Sequence, residues 1–181
     1  MNTATAVIAM VKYVLTSIFY EFSKLIIFGI FFGFLGYFKS FLVSLILLLF
    51  LRINIGGIHC KHYITCFLLT FVVLFSSIIL LPKLLFVAPI LIISICTICM
   101  IINYKIGPIA SPFRPSPDSI LIKKCRNTGF VIIFIFIIFV SFFHEFSLFA
   151  TYFQVGFWTI VLHTAQLFIA KISKKEECAN A

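Results

Sequence analysis

The chain has 181 residues, of which 63% are hydrophobic and only 10% are charged. A soluble domain usually has about 45–50% apolar and about 25% charged residues. This composition therefore excludes a water-soluble globule, a disordered chain and a partner of nucleic acids. We expect a single membrane domain over residues 1–181, an all-α polytopic integral membrane protein embedded in the lipid bilayer. Its apolar runs predict about six transmembrane or membrane-embedded helices.

The N-terminal apolar segment has two interpretations. Residues 6–20 either span the membrane or lie at its surface as an amphipathic helix, with Lys12 and Lys24 at the headgroups. The next apolar run, residues 25–51, would be ~40 Å long as one helix, against ~30 Å of hydrocarbon. We therefore expect this run either to tilt or to break near residues 36–39.

After these helices the chain alternates between basic connections and apolar hairpins. The predicted segments are N-terminal helices, a catalytic loop, a helical hairpin, a basic loop, a second hairpin and a tail, at residues 1–51, 52–62, 63–104, 105–129, 130–170 and 171–181. A two-span hairpin separates each basic segment from the next, so the three basic segments lie on one face. The 14 Lys and Arg against 5 Asp and Glu place that face in the cytoplasm. We expect a multi-pass protein of the cell membrane.

One polar stretch has residues suited to chemistry. From Arg52 to Cys66 the chain reads RINIGGIHCKHYITC, with two His, two Cys and a Gly pair. Polar groups near the membrane interior are expensive and usually functional. A thiol becomes a nucleophile beside a base or in electropositive surroundings, and this stretch offers both. Two alternatives are incidental His and Cys residues, or a Zn or Cu site. The metal site would use His59, Cys60, His62 and Cys66, whose spacing matches no standard finger.

Two histidines compete as the base that serves Cys66. On an ideal helix His62, four residues before Cys66, is its neighbour, whereas His59 lies ~10 Å away along the axis. His59 comes within reach if Gly56–Gly57 and a turn fold the loop back over the helix start. Backbone N–H groups around the two glycines are candidates for an oxyanion hole, and Asn54 is the candidate for orienting the base.

Two motifs in this chain resemble those of a known family. Gly56-Gly57-Ile58-His59, with Cys66 seven residues after the His, is similar to the signature of the accessory gene regulator B (AgrB) family. Residues 107–115, GPIASPFRP, resemble the family's Ala-Pro-Val-acidic-Ser-Pro-x-basic-Pro loop. A basic cluster follows this loop, as in the family. Length, hydropathy and motif order match over essentially the whole chain.

The resemblance implies a membrane endopeptidase of Gram-positive quorum sensing. Family members cleave a peptide pheromone precursor, hold the product as a thioester and release it as a cyclic thiolactone or lactone. By position, His59 is the catalytic His and Cys66 the nucleophile. His62 stands where the family usually has a small hydroxyl residue, and we assign it a secondary role. The resemblance implies neither a cofactor nor a resident metal.

The implied partner is an AgrD-like propeptide with an acidic tail. The expected substrate-binding residues are basic: Arg52, Lys61, Arg114, Lys123, Lys124 and Arg126. A second interpretation of the basic loop is that it only sets the membrane topology. The alternative function is a non-enzymatic small transporter or metal permease that uses the His and Cys residues.

Two further expectations concern helix faces. Gly29 and Gly33 are four apart, which permits close helix approach, and they are the local feature that favours the homodimer implied by the resemblance. His163 and Gln166 lie on one face of the last span, which makes them candidates to hydrogen-bond each other.

Overall fold

The described residues of the chain fold into α-helices. The computed structural model describes the backbone of residues 3–58, 63–109 and 118–179, and the side chains of residues 19–58, 63–109 and 118–172. The helices in these residues are α1 (Thr3–Phe34), α2 (Phe38–Ile55), α3 (Tyr63–Leu84), α4 (Pro89–Ile106), α5 (Ser119–Phe143) and α6 (Ser147–Ala179). Helix α3 includes one π-helical turn at Ser76–Leu80. The described part of the chain contains no strand, and the all-α prediction is confirmed.

Five of the helices, α2 to α6, are long and apolar enough to cross a membrane. The shortest of them have 18 residues, which correspond to ~27 Å of helix against ~30 Å of hydrocarbon. Large apolar side chains cover their outer surfaces, with Ile90 77% and Leu148 75% exposed. Such a surface is expected in lipid and not in water. The prediction of a multi-pass membrane protein is confirmed.

The N-terminal helices differ from the predicted segments. A single helix, α1, runs from Thr3 to Phe34 and joins residues 6–20 to the start of the next apolar run, residues 25–51. The chain breaks instead at Gly36, whose φ is 77°. The Tyr37 N–H donates to the Phe32 carbonyl at 2.8 Å, and the Gly36 N–H donates to the Gly33 carbonyl at 3.0 Å. These bonds form a Schellman motif, which ends helices at a left-handed glycine. Of the two alternatives for residues 25–51, the structure therefore has the break near residues 36–39.

Two other helix ends extend into predicted loops. Helix α2 continues through residues 52–55, which the sequence analysis assigned to the catalytic loop. Helix α5 begins at Ser119, well inside the predicted basic loop. The Asp118 carboxylate caps it by accepting a bond from the Ser119 N–H at 2.7 Å. Hydropathy locates the apolar part of a helix, and polar turns continue beyond that part.

The buried side chains form two clusters that share α2 and α6. One cluster joins these helices to α4 and α5, and includes Leu51, Cys96 and Ile133. The other joins them to α1 and α3, and includes Phe28 and Leu74. Helices α2 and α6 are therefore central, and the end of α2 lies beside α6 at one end of the bundle.

The two glycines of α1 lie beside aromatic rings of α2. A Cβ atom on Gly29 would lie 3.7 Å from the Phe41 ring, and one on Gly33 would lie 4.0 Å from the Phe38 ring. Both aromatic residues belong to α2. Gly29 therefore serves the packing of α1 on α2, whereas Gly33 is exposed, and the expected homodimer stays a prediction.

Candidate active site

The two sequence motifs meet at the end of α2. Gly56 follows α2 directly, has a φ of 86°, and donates its N–H to the Arg52 carbonyl at 3.0 Å. The Ile109 N–H, from the second motif, donates to the Ile55 carbonyl at 3.0 Å. A Cβ atom on Gly56 would collide with the Ile109 carbonyl oxygen. Both the backbone conformation and this close approach therefore require glycine at position 56.

Ile55 is the side chain around which this junction packs. It is 2% exposed, and a Cβ atom on either Gly107 or Gly129 would collide with it. Arg126 fixes the start of the second motif, since its Nε donates to the Gly107 carbonyl at 3.1 Å. Its guanidinium also lies 5.6 Å from the ring centre of Tyr104, within cation–π distance. Arg126, a predicted substrate-binding residue, therefore also stabilises this loop.

Helix α6 contributes two side chains to the same junction, those of His163 and Gln166. His163 is fully buried, and its Nε2–H donates to the Gly56 carbonyl at 3.0 Å. Arg52 donates to the Gln166 side-chain oxygen at 3.4 Å and to the Thr70 hydroxyl at 3.1 Å. His163 and Gln166 do not bond each other, so that prediction is wrong. The end of α2 offers a carbonyl without a helical partner and a guanidinium, which are better partners for these two side chains.

Cys66 lies one turn into α3 and is partly exposed. Its Sγ is 3.4 Å from the Nζ of Lys24, which belongs to α1. Lys24 is only 4% exposed, and its ammonium also donates to the Glu21 carboxylate at 2.7 Å. The same ammonium lies 5.6 Å from the ring centre of Tyr63. The predicted nucleophile is therefore in contact with a buried positive charge.

Tyr63 attaches the start of α3 to α1. Its ring centre lies 4.6 Å from that of Tyr20, and its hydroxyl lies 2.9 Å from the Ser23 hydroxyl. These contacts align one turn of α1, including Lys24, with Cys66. Lys24 was not predicted as a site residue, since the sequence offered only a place at the headgroups for it. The available signal was a lysine three residues after Glu21 in an apolar helix, where ionisable residues are usually functional.

Several predicted site residues lie outside the described residues: His59, Cys60, Lys61, His62 and Arg114. The choice of base and the metal alternative therefore stay predictions. Among the residues that the structure describes, no group of three potential metal ligands comes together.

The other accessory candidates have contacts within α2. The Asn54 side-chain amide donates to the Phe50 carbonyl at 2.8 Å, one turn earlier in the same helix. The Gly56 N–H already has a partner in the Arg52 carbonyl, which takes this donor out of the expected oxyanion hole. The Gly57 N–H stays the candidate donor.

Two predicted substrate-binding residues, Lys123 and Lys124, lie exposed on the first turns of α5. With Asn127 they line part of an open cavity of about 640 Å³. Gly129, further along α5, packs against Ile55 at the end of α2. The ten residues of α5 before Gly129 therefore extend ~15 Å beyond the end of α2. The basic residues lie at the same end of the bundle as the two motifs.

The comparisons with known proteins give one result. The family model for accessory gene regulator B matches residues 2–168. Neither the comparison with curated proteins nor that with solved structures gives a match. The matched range includes both motifs, Cys66 and the five membrane-spanning helices almost completely. The chain therefore belongs to the accessory gene regulator B family, whose members take part in processing peptide autoinducers.

Proposed function

We propose that this protein is a membrane cysteine endopeptidase that cleaves an autoinducer precursor and cyclises it through an acyl-thioester. The observation that carries the proposal is a contact of the partly exposed Cys66 thiol. Its sulfur lies 3.4 Å from the buried ammonium of Lys24. Reactive cysteines occur in such electropositive, partly exposed surroundings, whereas structural cysteines are inert.

The proposed reaction has two acyl-transfer steps. The Cys66 sulfur attacks the scissile carbonyl, the carbon–nitrogen bond breaks, and the leaving amine takes the proton that the base removed from the thiol. The base is His59, with His62 secondary. A thiol or hydroxyl of the substrate then attacks the thioester carbonyl, which closes a thiolactone or lactone ring and releases Cys66. A thioester has enough acyl-transfer potential for a thiol or hydroxyl to take the acyl group, so this second step needs no ATP.

The loop after α2 supports this scheme because its backbone geometry directs the chain toward His59, and not because the loop supplies a charge. Gly56 and the Ile109 backbone fix the direction in which the chain leaves α2, and His59 follows three residues later. His163 holds the Gly56 carbonyl from α6. The Gly57 N–H is proposed to donate to the developing oxyanion, a role that rigid backbone donors perform well.

We propose that the precursor is an AgrD-like propeptide bound from the cytoplasm. The basic surface of α5, with Lys123 and Lys124 exposed, attracts its acidic tail. The same excess of Lys and Arg directs this end of the bundle to the cytoplasm. At the partly dehydrated membrane surface, water competes poorly with the nucleophile of the substrate.

Co-expression of the protein with its precursor tests the function. The Cys66→Ser variant should abolish processing, because a serine hydroxyl at this site lacks the acidity and nucleophilicity of a thiol. The Cys60→Ser variant is the matched control and should process the precursor at the wild-type rate. Loss of processing in Cys60→Ser, with activity kept in Cys66→Ser, would assign the nucleophile to the other thiol.

A further inference from the structure

We infer that Lys24 is a catalytic residue, whose ammonium stabilises the Cys66 thiolate, and that α1 is therefore part of the active site. The inference rests on the proposed function, because it assigns a further role within the same site. Its basis is a set of contacts that join α1 to α3: Lys24 to Cys66, Lys24 to Glu21, and Tyr63 to Tyr20 and Ser23.

Burial makes Lys24 unusual among the lysines whose side chains the structure describes. Its side chain is 5% exposed, whereas that of Glu21, its partner, is 58% exposed. An ion pair with an exposed carboxylate can form at the surface, where the ammonium keeps its hydration. Lys24 instead places its ammonium inside, and burying a charge is expensive unless it has partners. Besides Glu21, its partners are the Cys66 sulfur and the ring of Tyr63.

Helix geometry fixes the direction of Lys24. Residues four apart lie on one face of a helix, and Lys24 is followed at this spacing by Phe28 and Phe32, which are 1% and 0% exposed. Phe28 contacts the Phe67 ring of α3, with 4.8 Å between ring centres. Lys24 therefore extends the buried face of α1 that packs on α3, and its position is set by the same packing.

The contact becomes stronger when the sulfur is charged. A neutral thiol is a weak hydrogen-bond acceptor, whereas a thiolate pairs with an ammonium in a charge-assisted bond. Glu21 remains paired with Lys24, so the ammonium keeps its protons and acts only through its charge. The thiol proton goes to the base of the proposed function and then to the leaving amine. Lys24 thus neither gives nor takes a proton.

Alkylation of Cys66 in the purified, full-length protein tests this role without any substrate. Iodoacetamide reacts with the thiolate, and the alkylation is carried out at pH 7. Mass spectrometry of the peptides then distinguishes Cys66 from the other cysteines. Lys24→Met, which keeps the chain length and removes the charge, should slow the reaction about tenfold or more. Lys24→Arg, which keeps the charge, should restore most of the rate.

Lys83→Met is the matched control. Lys83 also lies over a tyrosine ring, 5.5 Å from the centre of Tyr37, but at the opposite end of α3 from Cys66. This variant should leave the alkylation rate unchanged. Melting curves establish that each variant is folded, and Lys24→Gln, which keeps a polar side chain, replaces Lys24→Met in the comparison if that variant does not fold.

The outcomes separate the two proposals. Equal alkylation rates of Cys66 in folded Lys24→Met and Lys83→Met overturn the role of Lys24, whatever the effect on precursor processing. A wild-type protein that leaves the precursor intact, while its Cys66 reactivity still depends on Lys24, overturns the proposed function alone.

Discussion

Replacing Gly56 by alanine is the sharpest test of the motif junction. At this residue φ is 86° and ψ is −157°, a region that is essentially restricted to glycine. An alanine in that conformation is destabilised by about 1–3 kcal/mol. Its Cβ also displaces the Ile109 carbonyl, which endangers the bond between Ile109 and Ile55, with a net contribution of about 0.5–1.5 kcal/mol.

Together these terms give about 1.5–4.5 kcal/mol of distortion at the loop that leads to His59. If the loop moves to relieve the strain, the catalytic groups lose their geometry at a cost of this size. At about 1.4 kcal/mol per tenfold change in rate, kcat/KM for precursor cleavage should fall roughly 10- to 1500-fold. The assay is cleavage by the purified enzyme in lipid, with thermal unfolding measured in parallel to establish that the variant is folded.

Gly57→Ala is the matched control for this prediction. Gly57 does not have a positive φ, and a Cβ atom there would meet only the Arg52 side chain at 4.0 Å, an ordinary contact. Alanine keeps the backbone N–H that we propose as the oxyanion donor, so the activity of Gly57→Ala should stay within about threefold of the wild type, a difference of less than 1 kcal/mol. Wild-type activity in Gly56→Ala, or an equal loss in both variants, would refute the reasoning.

Two further predictions concern charge and topology. Changing Lys123 and Lys124 together to Gln should weaken precursor capture by a few-fold and reduce its sensitivity to salt, because exposed pairs contribute about 0.2–1 kcal/mol each. Binding assays over a salt series measure this, and unchanged capture with normal insertion would leave both residues as topology signals. Cys125 should be shielded from an impermeant maleimide added to intact cells, whereas a His144→Cys variant, in the turn at the opposite end, should be labelled. Labelling of Cys125, with no labelling of the cysteine at position 144, would show that the protein has the opposite orientation in the membrane.

The helices were predictable from the sequence because ~20-residue apolar runs have few alternatives in a membrane. Their ends were less predictable. The chain continues as helix through Glu21 and Lys24, since two opposite charges three residues apart satisfy each other within the helix. Asp118 before Ser119 is a typical N-cap and indicated the start of α5, although hydropathy placed that start later in the chain.

The candidate site was predictable only where a local motif marks it. The spacing of Gly56 and Cys66 indicated the loop and the nucleophile. Lys24 and His163 were not predicted as residues of the site, because their contacts join residues 42 and 107 positions apart in the sequence. No periodicity within one helix reports such a pairing, which depends on how α1 and α6 pack against α2 and α3.

Trapping of the acyl-enzyme tests the central claim most directly. The purified protein is mixed with its precursor, quenched in acid within seconds to minutes, digested and analysed by mass spectrometry. A transient adduct is expected on Cys66, with the mass of the precursor fragment on the amino side of the scissile bond. Hydroxylamine should remove this adduct, because it is a thioester. Cyclic product that forms without any adduct on Cys66, or with an adduct on another cysteine, would contradict the claim.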